Sequence, residues 1–172
     1  MKKLSATVIG LITGIIMIGI SLAIYNFRNS FENNLQYVTY AVYVAGIIYA
    51  LVVYRNATIE NKTFKSYFSQ GFKCFIVITL LMVVFTWVFI KMHPELQDQM
   101  AVIVREELIK KGDDTPAQID EKVANAKKYF STMLTGTAIF GYLFIGALVT
   151  VIGAAFLNKM DKDKEASHIH PA

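Results

Sequence analysis

At 172 residues, with 17 Lys and Arg against 13 Asp and Glu and a formal net charge of +4, the chain has the length of one ordinary domain. Its composition excludes an ordinary water-soluble one: 55% of it is apolar and the mean hydropathy is +0.44, which leaves too little polar surface to wrap a core of that size. The charge needs no nucleic acid to explain it, because the cations collect in blocks between long uncharged runs, as on a face set against anionic lipid, and the single cysteine, Cys74, excludes an internal disulfide.

The uncharged runs are Leu4 to Phe27, Asn33 to Tyr54, Cys74 to Ile90 and Tyr129 to Asn158. A bilayer core about 30 Å thick takes about 20 helical residues. The expected fold is therefore an all-α integral membrane protein with four transmembrane helices, over about residues 4–27, 34–54, 72–91 and 131–157, within one membrane domain at 1–164 and a flexible tail at 165–172.

The first run follows Met1-Lys2-Lys3 and contains Ser21-Leu22-Ala23, a small-x-small site of the signal-peptidase kind. The run is too long for a signal-peptide core, so an uncleaved span is expected. Ala6, Gly10 and Gly14 recur every four residues on one helix face, where small side chains allow close helix packing. A short loop, Arg28 to Asn34, makes an antiparallel pair with the second span. There Tyr37 and Tyr40 are expected as interface anchors and Ala41, Ala45, Gly46 and Ala50 as a second packing face; a lipid or substrate groove lined by these tyrosines is the sharper reading.

From Arg55 to Lys73, aromatic residues at helical spacing, Phe64 and Phe68 among them, alternate with Lys62 and Lys65. They predict a short interfacial helix, bent at Gly71, before the third span. A specific lipid-headgroup site would want a denser basic cluster than this. The third span has bulky side chains throughout and almost no small ones, and it is expected to be the outermost, lipid-facing helix, with Trp87 anchoring its far end.

After Lys91-Met-His93-Pro94 the chain turns polar. Pro94 opens a helix in which Leu96, Met100, Ile103 or Val104, and Leu108 recur until Lys110-Lys111-Gly112 ends it. Thr115 with Gln118 fits a capping box and Pro116 a first helical position. Ile119, Val123, Ala126 and Phe130 then lead into the last span. An extracytoplasmic helical hairpin over 94–129 is expected. In the fourth span Gly146, Thr150 and Ala154 form a third packing seam, and the tail from Asn158 is expected to be disordered.

Four spans put both termini on one side. That side carries nine cations against four acids and the other eight against nine, with Arg28 alone in the short first loop, so both termini are expected to be cytoplasmic.

No Asp, Glu, Lys, Arg or His lies deep in any span, which disfavours a proton-coupled carrier or intramembrane catalyst. There is no HExxH, phosphate loop or CxxC. His168 and His170 lack a third metal ligand, and Glu106-Glu107 and Asp113-Asp114 lack an enclosing pocket. Neither an enzyme nor a cofactor or metal site is expected.

The lead-in KTFKSYFSQGFKCFIVITLL, Pro94 after the helix, the polar segment centred on Gly112 and the small-residue last helix with its basic tail together resemble an uncharacterised bacterial membrane family, domain of unknown function 4199. The resemblance covers residues 4 to 164; Leu134-Thr-Gly136 stands where members often have a proline. It implies a four-helix protein of the inner membrane of Gram-negative bacteria and supplies no activity. The expected role is a non-enzymatic accessory or scaffold of envelope machinery whose partners are the bilayer and another membrane protein or a second copy of the chain. The alternatives are a small oligomeric transporter of a lipid or small molecule and, third, an enzyme sited on the hairpin at Glu106, Glu107 or Asp120.

Overall fold

A computed structural model describes residues 4–28, 33–57 and 62–169. Lys2, Lys3, Glu60, His170 and most of the first loop lie outside them. Among the described residues there are five helices: α1 (Ala6–Arg28), α2 (Asn33–Ala57), α3 (Phe64–Met92), α4 (Glu95–Lys111) and α5 (Pro116–Ile169). All but α4 are long and apolar enough to cross a membrane. With 54 residues, α5 is far longer than the about 20 that a bilayer core needs. The structure divides into two compact units, one of Met1–Met82 with Gly141–Ala172 and one of Val83–Phe140.

The first unit packs bulky side chains into gaps left by small ones. A Cβ on Gly10 of α1 would lie 2.7 Å from the Cys74 carbonyl oxygen of α3, and one on Gly14 2.7 Å from Leu81 Cδ1. On α2, Gly46 faces the Thr13 side chain of α1 so closely that no Cβ fits. On α5, Gly153 receives Leu51 of α2, and Gly146 receives the Phe75 ring of α3. The buried side chains Met17, Tyr43, Ile47, Leu51, Tyr67, Cys74 and Ile78 fill the interior.

This packing corrects the expected position of the third helix. Of the four apolar helices α3 is the most buried, with 39% of its apolar window enclosed against 28% for α1, 28% for α2 and 22% for α5. It lacks small residues because it supplies the knobs for which α1 and α5 supply the holes. The interfacial helix bent at Gly71 is also corrected, since α3 runs unbroken from Phe64. Gly71 instead marks a close approach, where a Cβ would sit 2.5 Å from Thr150 Cγ2. At the other end, α5 stays helical to Ile169, past the point where a disordered tail is expected.

In the second unit, His93 and Pro94 separate α3 from α4. Pro94 (φ −62°) precedes α4, and Gly112 ends it in the left-handed region (φ 71°), its N–H donating to the Leu108 carbonyl. That conformation suits glycine. Thr115 and Gln118 form the capping box: Thr115 N–H donates to Gln118 Oε1 at 2.9 Å and Gln118 N–H to Thr115 Oγ1 at 3.4 Å. The ion pairs Arg105–Asp120 and Lys127–Asp98 link α4 to the first turns of α5, and the buried Leu96, Ile119 and Phe130 contribute apolar contact. These pairs are exposed, so each is worth no more than about 1 kcal/mol.

Candidate functional site

Two polar constellations lie in the first unit, where α2, α3 and α5 meet. The inner one is built on Tyr43, which is fully buried. Its hydroxyl donates to the Tyr142 carbonyl at 2.8 Å, and Thr79 Oγ1 lies 3.5 Å away, at the outer limit of a hydrogen bond. With the tyrosine proton already given to Tyr142, Thr79 is the donor in that second contact. The Tyr142 ring lies 5.3 Å from that of Tyr43, edge-on, and 5.5 Å from that of Tyr40. The seat exists because Gly146, one turn along α5 from Tyr142, has no side chain: a Cβ there would collide with the Tyr43 hydroxyl.

The outer constellation lies where the uncharged runs end. Arg55, in the last turn of α2, donates from Nε to Asp161 Oδ1 of α5 at 2.8 Å, and both side chains are only 18% exposed. The Tyr67 hydroxyl of α3 donates to Asp161 Oδ2, so one carboxylate ties three helices together. Lys62 Nζ donates to the Arg55 carbonyl at 2.6 Å, and the Tyr54 ring stands edge-on to Tyr67 at 5.5 Å. Asp161 lies three residues past the uncharged run of α5. Burial raises its carboxyl pKa, but the hydrogen bonds from Tyr67 and Arg55 and the charges of Arg55 and Lys62 outweigh burial and hold it below the ordinary carboxylate value.

Not every group here is satisfied. Arg55 Nη2, Asn158 Oδ1 and Thr150 Oγ1 are buried without a hydrogen-bond partner, and each such group costs about 1–3 kcal/mol. An apolar groove of about 410 Å³ also opens between α1 and α2, lined by Ile9, Thr13, Ile16, Val42, Ala45 and Tyr49 among others. Among the described residues no group of three or more His, Cys, Asp or Glu could hold a metal ion.

The structure brings some of the sequence-derived positions together and scatters others. Ala6, Thr150 and Ala154 are buried, and Gly10, Gly14 and Gly146 take close contacts. Ala41 and Ala45 are exposed; on α2 the close approach falls on Gly46, with Ala50 buried beside it. Tyr37 is 71% exposed, whereas Tyr40 packs on Tyr142. Trp87 is half-exposed beneath Lys91 Nζ, 4.5 Å from its ring, and Phe64 and Phe68 stack along α3. The Arg55–Asp161–Tyr67 cluster escapes sequence reasoning, since its members stand 106 and 94 residues apart. The available signal is a cation ending one uncharged run and an acid just beyond another.

A family model described as "Protein of unknown function (DUF4199)" matches residues 8–159. No curated protein matches the chain, and no solved structure does.

Proposed function

This chain belongs to the DUF4199 family, and from that premise we propose that it is a multi-pass protein of the inner membrane of a Gram-negative bacterium, with both termini cytoplasmic, acting as a non-enzymatic accessory or scaffold subunit of envelope machinery. In this reading residues 94–129 form an extracytoplasmic helical hairpin that holds the partner. The observation that carries it is on α4. This helix is polar overall, yet Val102 (57%), Ile103 (52%) and Ile109 (59%) are exposed, with Val102 and Ile109 two turns apart on one side. Inside a bilayer such exposure is ordinary; on a helix outside it, clustered apolar side chains mark a surface that something else covers.

The rival readings draw less support. For transport along a path lined by Tyr and Thr residues, one of those hydroxyls, that of Tyr43, is spent on the Tyr142 carbonyl. For an enzyme on the hairpin, Glu106 and Glu107 are exposed and Asp120 is paired with Arg105.

Replacing Val102 and Ile109 together by Ser is expected to leave the protein's level in the membrane unchanged and to cut recovery of its copurifying partner in a gentle detergent, after crosslinking, by roughly tenfold, the loss of about 1.4 kcal/mol or more of contact. Recovery of the protein as a lone monomer, or full partner recovery after the hairpin is exchanged for a flexible linker, overturns the proposal.

A further inference from the structure

We propose that the Arg55–Lys62 cluster binds the phosphate of an anionic phospholipid headgroup. Four observations lead there.

The first is depth. Arg55 directly follows the uncharged run of α2, and Asp161 stands three residues past that of α5, so in a chain that spans a bilayer both lie at the level of the headgroups.

The second is charge. Arg55 and Lys62 bring two positive charges to the cluster and Asp161 one negative, which leaves a surplus cation at a surface where anionic lipid is attracted.

The third is unused hydrogen-bonding capacity. Arg55 Nε is taken by Asp161, and Nη1 has only the weak acceptor Met160 Sδ at 3.9 Å. Nη2 has no acceptor although it is buried. Lys62 gives one N–H to a neutral carbonyl, and an ammonium has three. Both Asp161 oxygens already accept, from Arg55 and from Tyr67, so the carboxylate that would compete with an incoming anion is committed.

The fourth concerns the rest of the headgroup. Asn158, one turn before Asp161 on α5, has a buried Oδ1 without a donor, which suits a headgroup that carries hydroxyls as well as phosphate. Phosphatidylglycerol has both.

Lys62 is half-buried, so its ammonium keeps some access to an incoming anion. Met160, unbranched and flexible, touches the guanidinium at Nη1 and can swing aside. Arg55 then meets the phosphate with a fixed pair of donors and Lys62 with a mobile point charge. Sequence alone shows only Lys62 and Lys65 on the aromatic lead-in; the fold adds Arg55 from α2.

The test uses the full-length chain in a neutral detergent, with thermal unfolding followed as phosphatidylglycerol, phosphatidylcholine or inorganic phosphate is added, and with bound lipid counted by native mass spectrometry. Phosphatidylglycerol is expected to raise the midpoint by roughly 5 °C near saturation and to be retained at one copy per chain, while phosphatidylcholine and inorganic phosphate have little effect. Lys62→Ala should weaken phosphatidylglycerol binding roughly fivefold, Lys62→Arg should restore it, and Lys111→Ala, on exposed α4, should leave it unchanged. Equal shifts from phosphatidylcholine and phosphatidylglycerol overturn the proposal, as does unweakened binding by Lys62→Ala. A shift from inorganic phosphate as large as that from the lipid overturns the headgroup assignment in favour of a soluble anion.

Discussion

Replacing Gly146 by Leu is expected to abolish the native packing of α5 against α2 and α3, with a fall in the thermal midpoint of roughly 10 °C or more. The position has no room for even one carbon. A Cβ would strike the Tyr43 hydroxyl and come within 2.8 Å of two atoms of the Phe75 ring, and neither neighbour has space to retreat, since Tyr43 is fully buried and Phe75 nearly so. Overpacking a filled interior costs about 1–3 kcal/mol. Expelling Tyr43 from its seat adds the loss of its bond to the Tyr142 carbonyl, about 1–3 kcal/mol more when a buried group is left unpaired. The arrangement also predicts a specific rescue. Gly146→Ala collides with the Tyr43 oxygen as well as crowding the Phe75 ring, so combining it with Tyr43→Phe, which removes that oxygen, should recover part of the stability lost in Gly146→Ala. The Tyr142 carbonyl remains within the α5 ladder, so the Phe variant leaves it only partly stripped of partners. A double-mutant cycle by thermal melting in detergent reads the coupling directly. A monodisperse Gly146→Leu protein that melts within 2 °C of wild type would refute this account.

Gly146 also shows what the sequence makes legible and what it hides. Its spacing with Thr150 and Ala154 suggests a packing seam from helical period alone; in the structure Thr150 and Ala154 are fully buried. Period does not say which helix fills a seam. The knob helix carries bulky side chains on every face, so by composition it looks like the one turned toward lipid, and the contacts of Phe75, Val77 and Leu81 with the glycines of its neighbours show why α3 is the most enclosed of the four apolar helices. Local chemistry reads more directly. The Gly112 stop, the Thr115–Gln118 box and the Pro116 start all involve residues within four positions of one another, and the structure has them where the sequence puts them. Arg55 and Asp161 represent the opposite case. Each looks like a solvated charge at the edge of a span, because pairing across 106 residues depends on the lengths of the helices between them.

That pair supports the second large effect. Asp161→Ala is expected to destabilise the first unit by about 2–4 kcal/mol, below the range for breaking a fully buried ion pair because both side chains keep some contact with water. The loss comes less from the attraction removed than from what remains: the Arg55 guanidinium, already short of an acceptor at Nη2, loses its carboxylate, and the Tyr67 hydroxyl, on a fully buried residue, loses its acceptor as well. Arg55→Ala should cost less than Asp161→Ala, since Tyr67 keeps Asp161. The double variant should cost less than the sum of the two singles by at least about 1 kcal/mol. The pH dependence has a fixed sign. The folded state holds the Asp161 carboxyl below its ordinary pKa, so folding favours the carboxylate. The resulting stability is fully present above the unfolded value of about 4 and is lost as pH falls through the lower folded value. Wild type should therefore show no contribution from Asp161 to stability changes between pH 5 and 8, and should lose stability on acidification below about pH 4 more steeply than Asp161→Asn, which has no carboxyl to protonate. Parallel acid limbs for the two proteins would show that Asp161 is solvated, and that Arg55 and Tyr67 do not hold α5 through it.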